Sequence, residues 1–231
     1  MYYVSGVSRG LGEAIVLALL KRGEVVVGIG RSYSINHPNF QFVHCDLSDT
    51  AAIRSLEFPE HAEEVTLINN AGILGEIGRI SELKESDMET VLAVNTVAPM
   101  LLTQKIYASL SNKNKFCLVN ISSGAANRAI PSWAAYCASK AALNMWTEGF
   151  YREELELGRK LKVYAVAPGV IDTDMQTEIR KVPENQFSAV QNFIELKRND
   201  QLFTPEHAAK LLLQLLDLPF AGEVICDLRA L

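Results

Sequence analysis

The sequence predicts an α/β fold in which a doubly wound, mostly parallel sheet of seven strands carries helices on both faces. Short apolar runs alternate with longer helical patterns along all 231 residues. Such alternation is typical of right-handed crossovers between parallel strands. The second strand contains Val25, Val26 and Val27 in succession, and the fifth contains Leu118 and Val119. This continuous apolar character is typical of strands covered on both faces.

Seven strands and four long helices account for most of the pattern. The strands are predicted at residues 2–4, 25–29, 40–44, 65–68, 116–121, 163–166 and 223–226. The helices are predicted at about 11–21, 85–110, 133–157 and 205–216, with Pro99 as a local irregularity in the second. Turn-forming residues follow the strands: glycines after the first, Asn69-Asn70-Ala71-Gly72 after the fourth, and Pro168-Gly169 after the sixth. No linker, repeat or low-complexity tract interrupts this order, so we expect one domain over residues 1–231.

One long segment, residues 172–202, separates the sixth strand from the next core helix. It is rich in polar residues and has a helical pattern of its own over about 184–197. A long insertion at the carboxyl end of a strand is typical of an active-site lid. A surface excursion without function would leave the same pattern.

Composition excludes several functional classes. The chain is 48% hydrophobic with a net charge of −5, and its basic residues are scattered, so we expect no affinity for nucleic acid or anionic membranes. Cys45, Cys117, Cys137 and Cys226 match no zinc or redox spacing. The first, second and fourth adjoin apolar strands, so we expect buried free thiols and no metal site. Without a signal-peptide pattern or a run of ~20 apolar residues, the expected location is the cytoplasm.

A glycine-rich turn joins the first strand to the first helix. Gly6, Gly10 and Gly12 allow tight turning and let backbone N–H groups approach a pyrophosphate at the helix N-terminus. The spacing is Gly-x-x-x-Gly-x-Gly, so the common Gly-x-Gly-x-x-Gly fingerprint is absent. A glycine turn would also serve as a simple tight connection. Its position after the first strand of an alternating chain favours a dinucleotide site.

The end of the second strand favours NADP(H) over NAD(H). NAD-binding chains of this architecture place an acid there to hold the ribose 2′-hydroxyl. This chain instead has Arg31 followed by Ser32, and Arg9 lies within the glycine turn. A guanidinium grips a 2′-phosphate with two hydrogen bonds, and a hydroxyl adds a third. The alternative is that both arginines are solvated surface residues.

Tyr136 and Lys140 lie four residues apart in a predicted helix, so their side chains share one face. A nearby lysine charge is expected to lower the tyrosine pKa from ~10 and make the phenol a usable acid or base. By itself this spacing is more often an ordinary surface pair.

Taken together, these motifs resemble the short-chain dehydrogenase/reductase family over nearly the whole chain, which implies a single-domain Rossmann fold. The resemblance implies a catalytic tetrad of Asn95, Ser123, Tyr136 and Lys140, with Ser122 ranked behind Ser123. Asn69-Asn70-Ala71-Gly72 matches a family element that supports the sheet beside the cofactor. The residues predicted to bind the cofactor are Gly6, Ser8, Arg9, Gly10, Leu11, Gly12, Arg31, Ser32, Asp46, Leu47, Asn70, Ala71, Gly72, Tyr136, Lys140, Pro168, Gly169, Ile171 and Thr173. Ser5 stands where many members have threonine.

Within the family, the segments around Tyr136 and over residues 168–176 resemble sepiapterin reductases and bacterial benzil (1,2-diketone) reductases. This resemblance implies an NADPH-dependent carbonyl reductase in which Tyr136 donates a proton and Ser123 orients the substrate oxygen. Lys140 is expected to bind the nicotinamide ribose, and Asn95 to hold a water that relays protons to Lys140. Two alternatives stay open: an NADP-dependent alcohol dehydrogenase, and a regulator that senses NADP(H) without turnover.

The substrate pocket and the assembly are less well defined by sequence. The apolar candidates for the pocket wall, each of which core packing would also explain, are Leu74, Ala125, Trp133, Met175 and Phe193. Asp172 and Asp174 either meet a polar substrate or cap a helix. From the resemblance, the two long helices are expected to pair across a two-fold axis, giving a homodimer or, as second choice, a tetramer.

Overall fold

The protein is described from a computed structural model that covers residues 1–58, 63–110 and 115–231. Its centre is a seven-stranded sheet in the order β3-β2-β1-β4-β5-β6-β7, and every neighbouring pair is parallel. The strands are β1 Tyr2–Ser5, β2 Val26–Gly30, β3 Phe40–His44, β4 Glu64–Asn69, β5 Lys115–Ile121, β6 Lys162–Ala167 and β7 Ile225–Asp227. The strand order reverses between β1 and β4, which is the topological switch point where such sheets bind ligands.

Helices cover both faces of the sheet, as predicted. They are α1 Gly10–Lys21, α2 Thr50–Ser55, α3 Glu85–Leu92, α4 Ala98–Ala108, α5 Ala134–Glu156, α6 Asp174–Lys181, α7 Val190–Arg198 and α8 Pro205–Asp217. Neighbouring residues of β1 define the two cores, because side chains alternate along a strand. Val4 packs into a core that includes α1 and α8 residues, whereas Tyr3 packs into a core formed largely with α4. The predicted α/β class, a Rossmann fold, is confirmed.

The helix predicted over 85–110 is interrupted. It consists of α3, a π-helical turn at Ala93–Val97, and α4. Pro99 has no N–H to donate to the carbonyl four residues earlier, at Asn95. The adjacent Ala98 N–H bonds to the Ala93 carbonyl five residues back, which widens the helix at this point. The irregularity therefore precedes Pro99 and places Asn95 within it.

Three other element predictions need correction. α2 was not predicted, although Asp49 caps it by accepting hydrogen bonds from the N–H groups of Ala51 and Ala52. Residues 172–202 contain two helices, α6 and α7, instead of one helix over 184–197. Val182 is extended, as expected for a residue before a proline, and it ends α6. The last strand, β7, begins two residues later than the predicted 223–226.

The cysteine side chains are unpaired, as predicted, but only Cys45 is buried. Cys117 and Cys226 are partly exposed as whole residues, so the expectation of burial was wrong for Cys226. The Cys117 thiol itself is desolvated, and this burial raises its pKa to about 12. In the described part of the chain, no helix has the length and apolar character that crossing a membrane requires.

Candidate active site

A cleft of about 1530 Å³ opens at the carboxyl ends of the strands, around the switch point of the sheet. It is lined by the ends of β1, β2, β4, β5 and β6, by the start of α1, and by α6. Of the predicted site residues, all but Gly12 and Asn95 line this cleft. Those two are buried behind its wall.

The glycine turn enters α1 with a backbone that only glycine adopts readily. Gly6 and Gly10 have φ of +72° and +59°. A Cβ on Gly12 would lie 2.0 Å from the Gly6 carbonyl oxygen, so the turn and the helix touch there. The N-cap residue, Arg9, makes no side-chain cap to the first turn of α1. The backbone donors at this helix start therefore have no side chain capping them where they meet the cleft.

The loop after β4 holds the glycine turn in place. The Asn70 side chain donates to the carbonyl oxygens of Ser5 and Gly6 at 3.1 and 2.9 Å. In return, the Ser5 hydroxyl accepts from the backbone N–H groups of Asn70 and Ala71, both at 3.1 Å. Ser5 therefore has a structural role here, and its single hydroxyl joins the first and fourth strands above the sheet.

Arg31 and Asp46 share the corner of the cleft beyond β2 and β3. The Asp46 carboxylate accepts hydrogen bonds from the backbone N–H and hydroxyl of Ser48. These bonds and, to a smaller extent, the charge of Arg31 lower the pKa of Asp46. Arg31 and Ser32 are exposed at the rim. The corner therefore presents a cation and a hydroxyl to the cleft.

Tyr136 and Lys140 are both buried on α5, with 8% and 3% of their surfaces exposed. The Lys140 ammonium lies 6.0 Å from the centre of the Tyr136 ring and donates to the Ile121 carbonyl oxygen at 2.8 Å. The pair faces the end of β5, where Ser123 follows. The ordinary surface pair that this spacing more often represents is excluded by the burial of both side chains.

In the protein without a bound cofactor, burial is the main cause of the pKa shifts of Tyr136 and Lys140. It raises the pKa of Tyr136, and a hydrogen bond with Ser123 lowers it only in part. Burial also lowers the pKa of Lys140 to about 8, since desolvation disfavours the ammonium. We expected the Lys140 charge to lower the pKa of Tyr136, and the direction here is the opposite. At neutral pH this tyrosine is therefore a protonated hydroxyl, the form that donates.

Ser122 and Ser123 differ in their hydrogen-bond partners. The Ser122 hydroxyl is buried and donates to the Asn144 side-chain oxygen on α5. Ser123 begins a short 3₁₀ turn, in which its hydroxyl oxygen accepts from the Ala125 N–H at 3.1 Å, and it lines the cleft beside Tyr136. This placement favours Ser123 over Ser122 for contact with a substrate.

Asn95 is fully buried and clamps the loop after β4. Its side chain accepts from the Ile73 N–H and donates to the Ile73 carbonyl oxygen, both at 2.8 Å, and it also donates to Ser139 on α5 at 3.0 Å. A Cβ on Gly72 would lie 3.4 Å from both the Asn95 oxygen and the Lys140 nitrogen. Asn95 therefore lies close to Lys140, with its amide engaged by protein groups.

The segment after β6 crosses the mouth of the cleft. Thr173, at the start of α6, places its methyl group 3.2 Å from where a Cβ on Gly10 would lie. Next to it, Arg9 and Asp174 form an ion pair at 3.2 Å, which joins the glycine turn to α6. Asp172 pairs with Lys197 of α7 at 2.6 Å. Neither Asp172 nor Asp174 caps α6, so the alternative prediction of a helix-capping role was wrong for both residues.

Residues 1–184 match the family model described as short chain dehydrogenase. The chain belongs to this family. A benzil reductase ((S)-benzoin forming) of Bacillus subtilis is 34% identical, with 99% of this chain and 98% of that protein covered. The sepiapterin reductase of Rattus norvegicus is 32% identical, with 77% and 76% covered. A crystal structure of a short chain dehydrogenase/reductase from Saccharomyces cerevisiae, 28% identical, superposes with a TM-score of 0.81 over 98% of this chain and 95% of that one.

In this short chain dehydrogenase, all five apolar residues predicted for the pocket wall line the cleft. Four lining residues were not predicted from the sequence: Gln176 on α6, Ile77 in the loop after β4, Asp227 at the end of β7 and Arg229 just after it. The signal for the last two was available, because the ends of parallel strands meet at one edge of the sheet. No local pattern marks Ile77 or Gln176.

Gly12→Ala should destabilise the protein. The added methyl would overlap the Gly6 carbonyl oxygen, 2.0 Å away, so the turn must move. We expect the free energy of unfolding to fall by about 2 kcal/mol or more. Denaturant titration measures this loss. Gly149→Ala on α5 is the matched control, because its Cβ would meet no atom within 4 Å. It should stabilise the protein by up to ~1 kcal/mol, and an equal loss in both variants would contradict the argument.

Proposed function

We propose that this protein is an NADPH-dependent carbonyl reductase whose substrates are vicinal diketones or related ketones. The observation that carries the proposal is the buried Tyr136 hydroxyl, hydrogen-bonded to Ser123 and paired with Lys140 on the same helix face. It lies where the glycine turn and an aromatic pocket open into one cleft.

The residues of the cleft fit a nicotinamide dinucleotide. The glycine turn leaves the start of α1 without a side-chain cap, and backbone donors at such a position suit a pyrophosphate. Asp46 and Leu47 would hold the adenosine end, and residues 168–173 the nicotinamide end. When bound, the cofactor supplies the hydride.

The proposed preference for NADPH over NADH depends on Arg31. Its guanidinium lies at the rim after β2 with Ser32 beside it, and β2 ends without an acid that would hold a 2′-hydroxyl. We infer that Arg31 and Ser32 bind the 2′-phosphate of NADPH. Arg9 lies nearer the start of α1 and is already paired with Asp174, so we assign it the smaller share.

The proton for the product alcohol comes from Tyr136 in this proposal. Its raised pKa keeps the hydroxyl protonated at neutral pH, ready to donate to the substrate oxygen as negative charge develops there. Ser123 orients that oxygen and stabilises its charge. Lys140, whose pKa lies at about 8, restores the proton and binds the cofactor ribose. Asn95 holds the loop that packs against Lys140.

Residues 172–202, with α6 and α7, form a lid over the substrate end of the cleft, and the Arg9–Asp174 pair holds the lid to the glycine turn.

The protein is proposed to be a homodimer through α4 and α5. Met145, on the outer face of α5, is 72% exposed.

An NADPH-oxidation assay tests this function. Wild-type protein should oxidise NADPH in the presence of benzil and other vicinal diketones, with NADH far less effective. Arg31→Ala should lower kcat/KM for NADPH by about 10- to 100-fold, because charge-assisted hydrogen bonds are lost, and should leave kcat/KM for NADH nearly unchanged. A preference for NADH would overturn the assignment of Arg31. Binding of NADPH without reduction of any diketone, quinone, pterin or simple ketone would favour a sensor of the cofactor.

A further inference from the structure

Two residues that line the cleft have a buried polar atom without a hydrogen-bond partner. Within residues 1–58, 63–110 and 115–231, such atoms belong to Asn69, Trp133, Gln176 and Arg180. Two of these side chains, Trp133 and Gln176, line the cleft, and each is only 7% exposed. A buried polar group without a partner destabilises a fold, so it calls for an explanation such as a ligand.

Trp133 is held in one orientation next to the proton donor. Its indole stacks on Phe187 at 5.2 Å with 13° between the planes, and Phe193 packs against it at 5.2 Å. The Trp133 and Tyr136 rings meet edge to face, with 5.7 Å between their centres and 81° between their planes. The indole N–H is only a donor, and in this packing its protein neighbours are largely apolar.

The residue before Trp133 fixes this arrangement. Ser132 has φ of +70°, a conformation that residues other than glycine seldom adopt. Its hydroxyl donates to the Gln186 carbonyl oxygen at 2.8 Å, and the Gln186 amide donates to the Ile77 carbonyl oxygen at 2.7 Å. The loop that carries Trp133 is therefore tied both to residues 172–202 and to the loop after β4.

Gln176 supplies a hydrogen-bond acceptor that complements the donor on Trp133. It lies in the first turn of α6, which Arg9 and Asp174 hold against the glycine turn. Its side-chain oxygen is buried without a donor, whereas Trp133 has a donor without an acceptor. The side chains that carry this unused acceptor and this unused donor both line the cleft, and together they offer the two groups that would bind an oxygen of a substrate.

We propose that Trp133 and Gln176 form a polar subsite for a second oxygen on the carbon next to the reacting carbonyl. This inference rests on the proposed function, because Tyr136 and Ser123 take the first oxygen. The Trp133 N–H donates to the second oxygen, whether it is a ketone or a hydroxyl. The Gln176 oxygen accepts from the second oxygen when it carries a proton. The substrate class is therefore vicinal diketones and α-hydroxy ketones with a flat apolar substituent against Phe193 and Trp133.

Trp133→Phe tests the donor, because phenylalanine keeps an aromatic ring against Phe187 and Phe193 and removes the N–H. Three substrates of matched size are compared with NADPH: an aryl vicinal diketone, the corresponding α-hydroxy ketone, and the aryl ketone without the second oxygen. We expect kcat/KM for the diketone and the hydroxy ketone to fall by roughly 10- to 100-fold relative to kcat/KM for the plain ketone. An equal fall for all three substrates would show that Trp133 only packs, which would overturn the proposal.

Gln176→Met tests the acceptor with a side chain of similar length. The ratio of kcat/KM for the hydroxy ketone to that for the diketone should fall by about tenfold, since only the hydroxyl donates to Gln176. An unchanged ratio would remove Gln176 from the subsite. Phe193→Leu is the matched control: it changes the apolar wall without changing a polar atom, so its effect should be similar for all three substrates.

Binding separates failure of the subsite from failure of the proposed function. Trp133 and Trp146 are the tryptophans of the chain, so in Trp146→Phe the fluorescence reports on Trp133 alone. Addition of the diketone to the NADP⁺ complex should change this signal saturably, with weaker binding by the plain ketone. Wild-type protein that reduces no carbonyl refutes the function. Reduction of carbonyls with equal binding of both ketones refutes the subsite alone.

Discussion

Tyr136→Phe should lower kcat for carbonyl reduction by about 10²–10⁴-fold, the range that general acid catalysis contributes. Phenylalanine keeps the ring that packs against Trp133 and loses only the hydroxyl that is hydrogen-bonded to Ser123. Because that hydroxyl is the proposed proton donor, the loss should appear in kcat much more than in KM. Steady-state oxidation of NADPH with a diketone measures both constants.

Three properties of the Tyr136→Phe protein should stay close to those of wild type. NADPH binding, followed by the fluorescence of the bound cofactor, should change less than threefold or so, because a single hydrogen bond contributes little to a large ligand. The melting temperature and the oligomeric state should also be preserved. A variant that retained full kcat would refute the role of Tyr136, and a variant that lost cofactor binding would assign the residue to binding.

Lys140→Met should abolish most activity and stabilise the cofactor-free protein. Burial lowers the pKa of Lys140 from 10.5 to about 8, which corresponds to roughly 3 kcal/mol against the buried ammonium at neutral pH. Methionine fills similar space without charge. It loses the hydrogen bond to the Ile121 carbonyl oxygen, about 1 kcal/mol, and the cation–π contact with the Tyr136 ring. We therefore expect the free energy of unfolding to rise by roughly 1–2 kcal/mol, with a melting temperature higher by about 2–4 °C per kcal/mol.

The pH dependence of stability identifies the cause of this gain. Between pH 8 and 10, unfolded Lys140 binds a proton that the folded form has released, so the contribution of Lys140 to the free energy of unfolding of wild type rises with pH. Below about pH 8 both states are protonated and the destabilisation is complete. The difference between Lys140→Met and wild type should thus shrink as the pH rises through this window. Lys210→Met, on the exposed face of α8, is the control and should show no such trend.

Much of this architecture was predictable, because it depends on local patterns. Strand periodicity, the glycine turn and the four-residue spacing of Tyr136 and Lys140 are all short-range signals, and the structure brings these residues into one cleft. The seven-stranded sheet follows from the regular alternation of elements. The π-helical turn at Ala93–Val97 was foreseen only as an irregularity near Pro99, since its position depends on hydrogen bonding that sequence periodicity does not display.

The parts that were not predictable depend on contacts between distant segments. The rise in the pKa of Tyr136 follows from its burial, which the spacing to Lys140 does not reveal. Asn95 binds the backbone of Ile73, and the Ser132 hydroxyl binds that of Gln186, over separations of 22 and 54 residues. The Gln176 oxygen without a donor and the Trp133 indole without an acceptor are properties of the folded packing. Pairings of this kind appear only once the chain is folded.

The central claim is that Tyr136 gives a proton to a carbonyl while NADPH gives the hydride. A single-turnover experiment tests it most directly: wild-type and Tyr136→Phe proteins, each saturated with NADPH, are mixed rapidly with an excess of vicinal diketone. The absorbance of the bound NADPH should disappear completely in both. We predict a rate at least 100-fold lower in the variant, in line with general acid catalysis. Equal rates in the two proteins, or no loss of NADPH in wild type, would contradict the account.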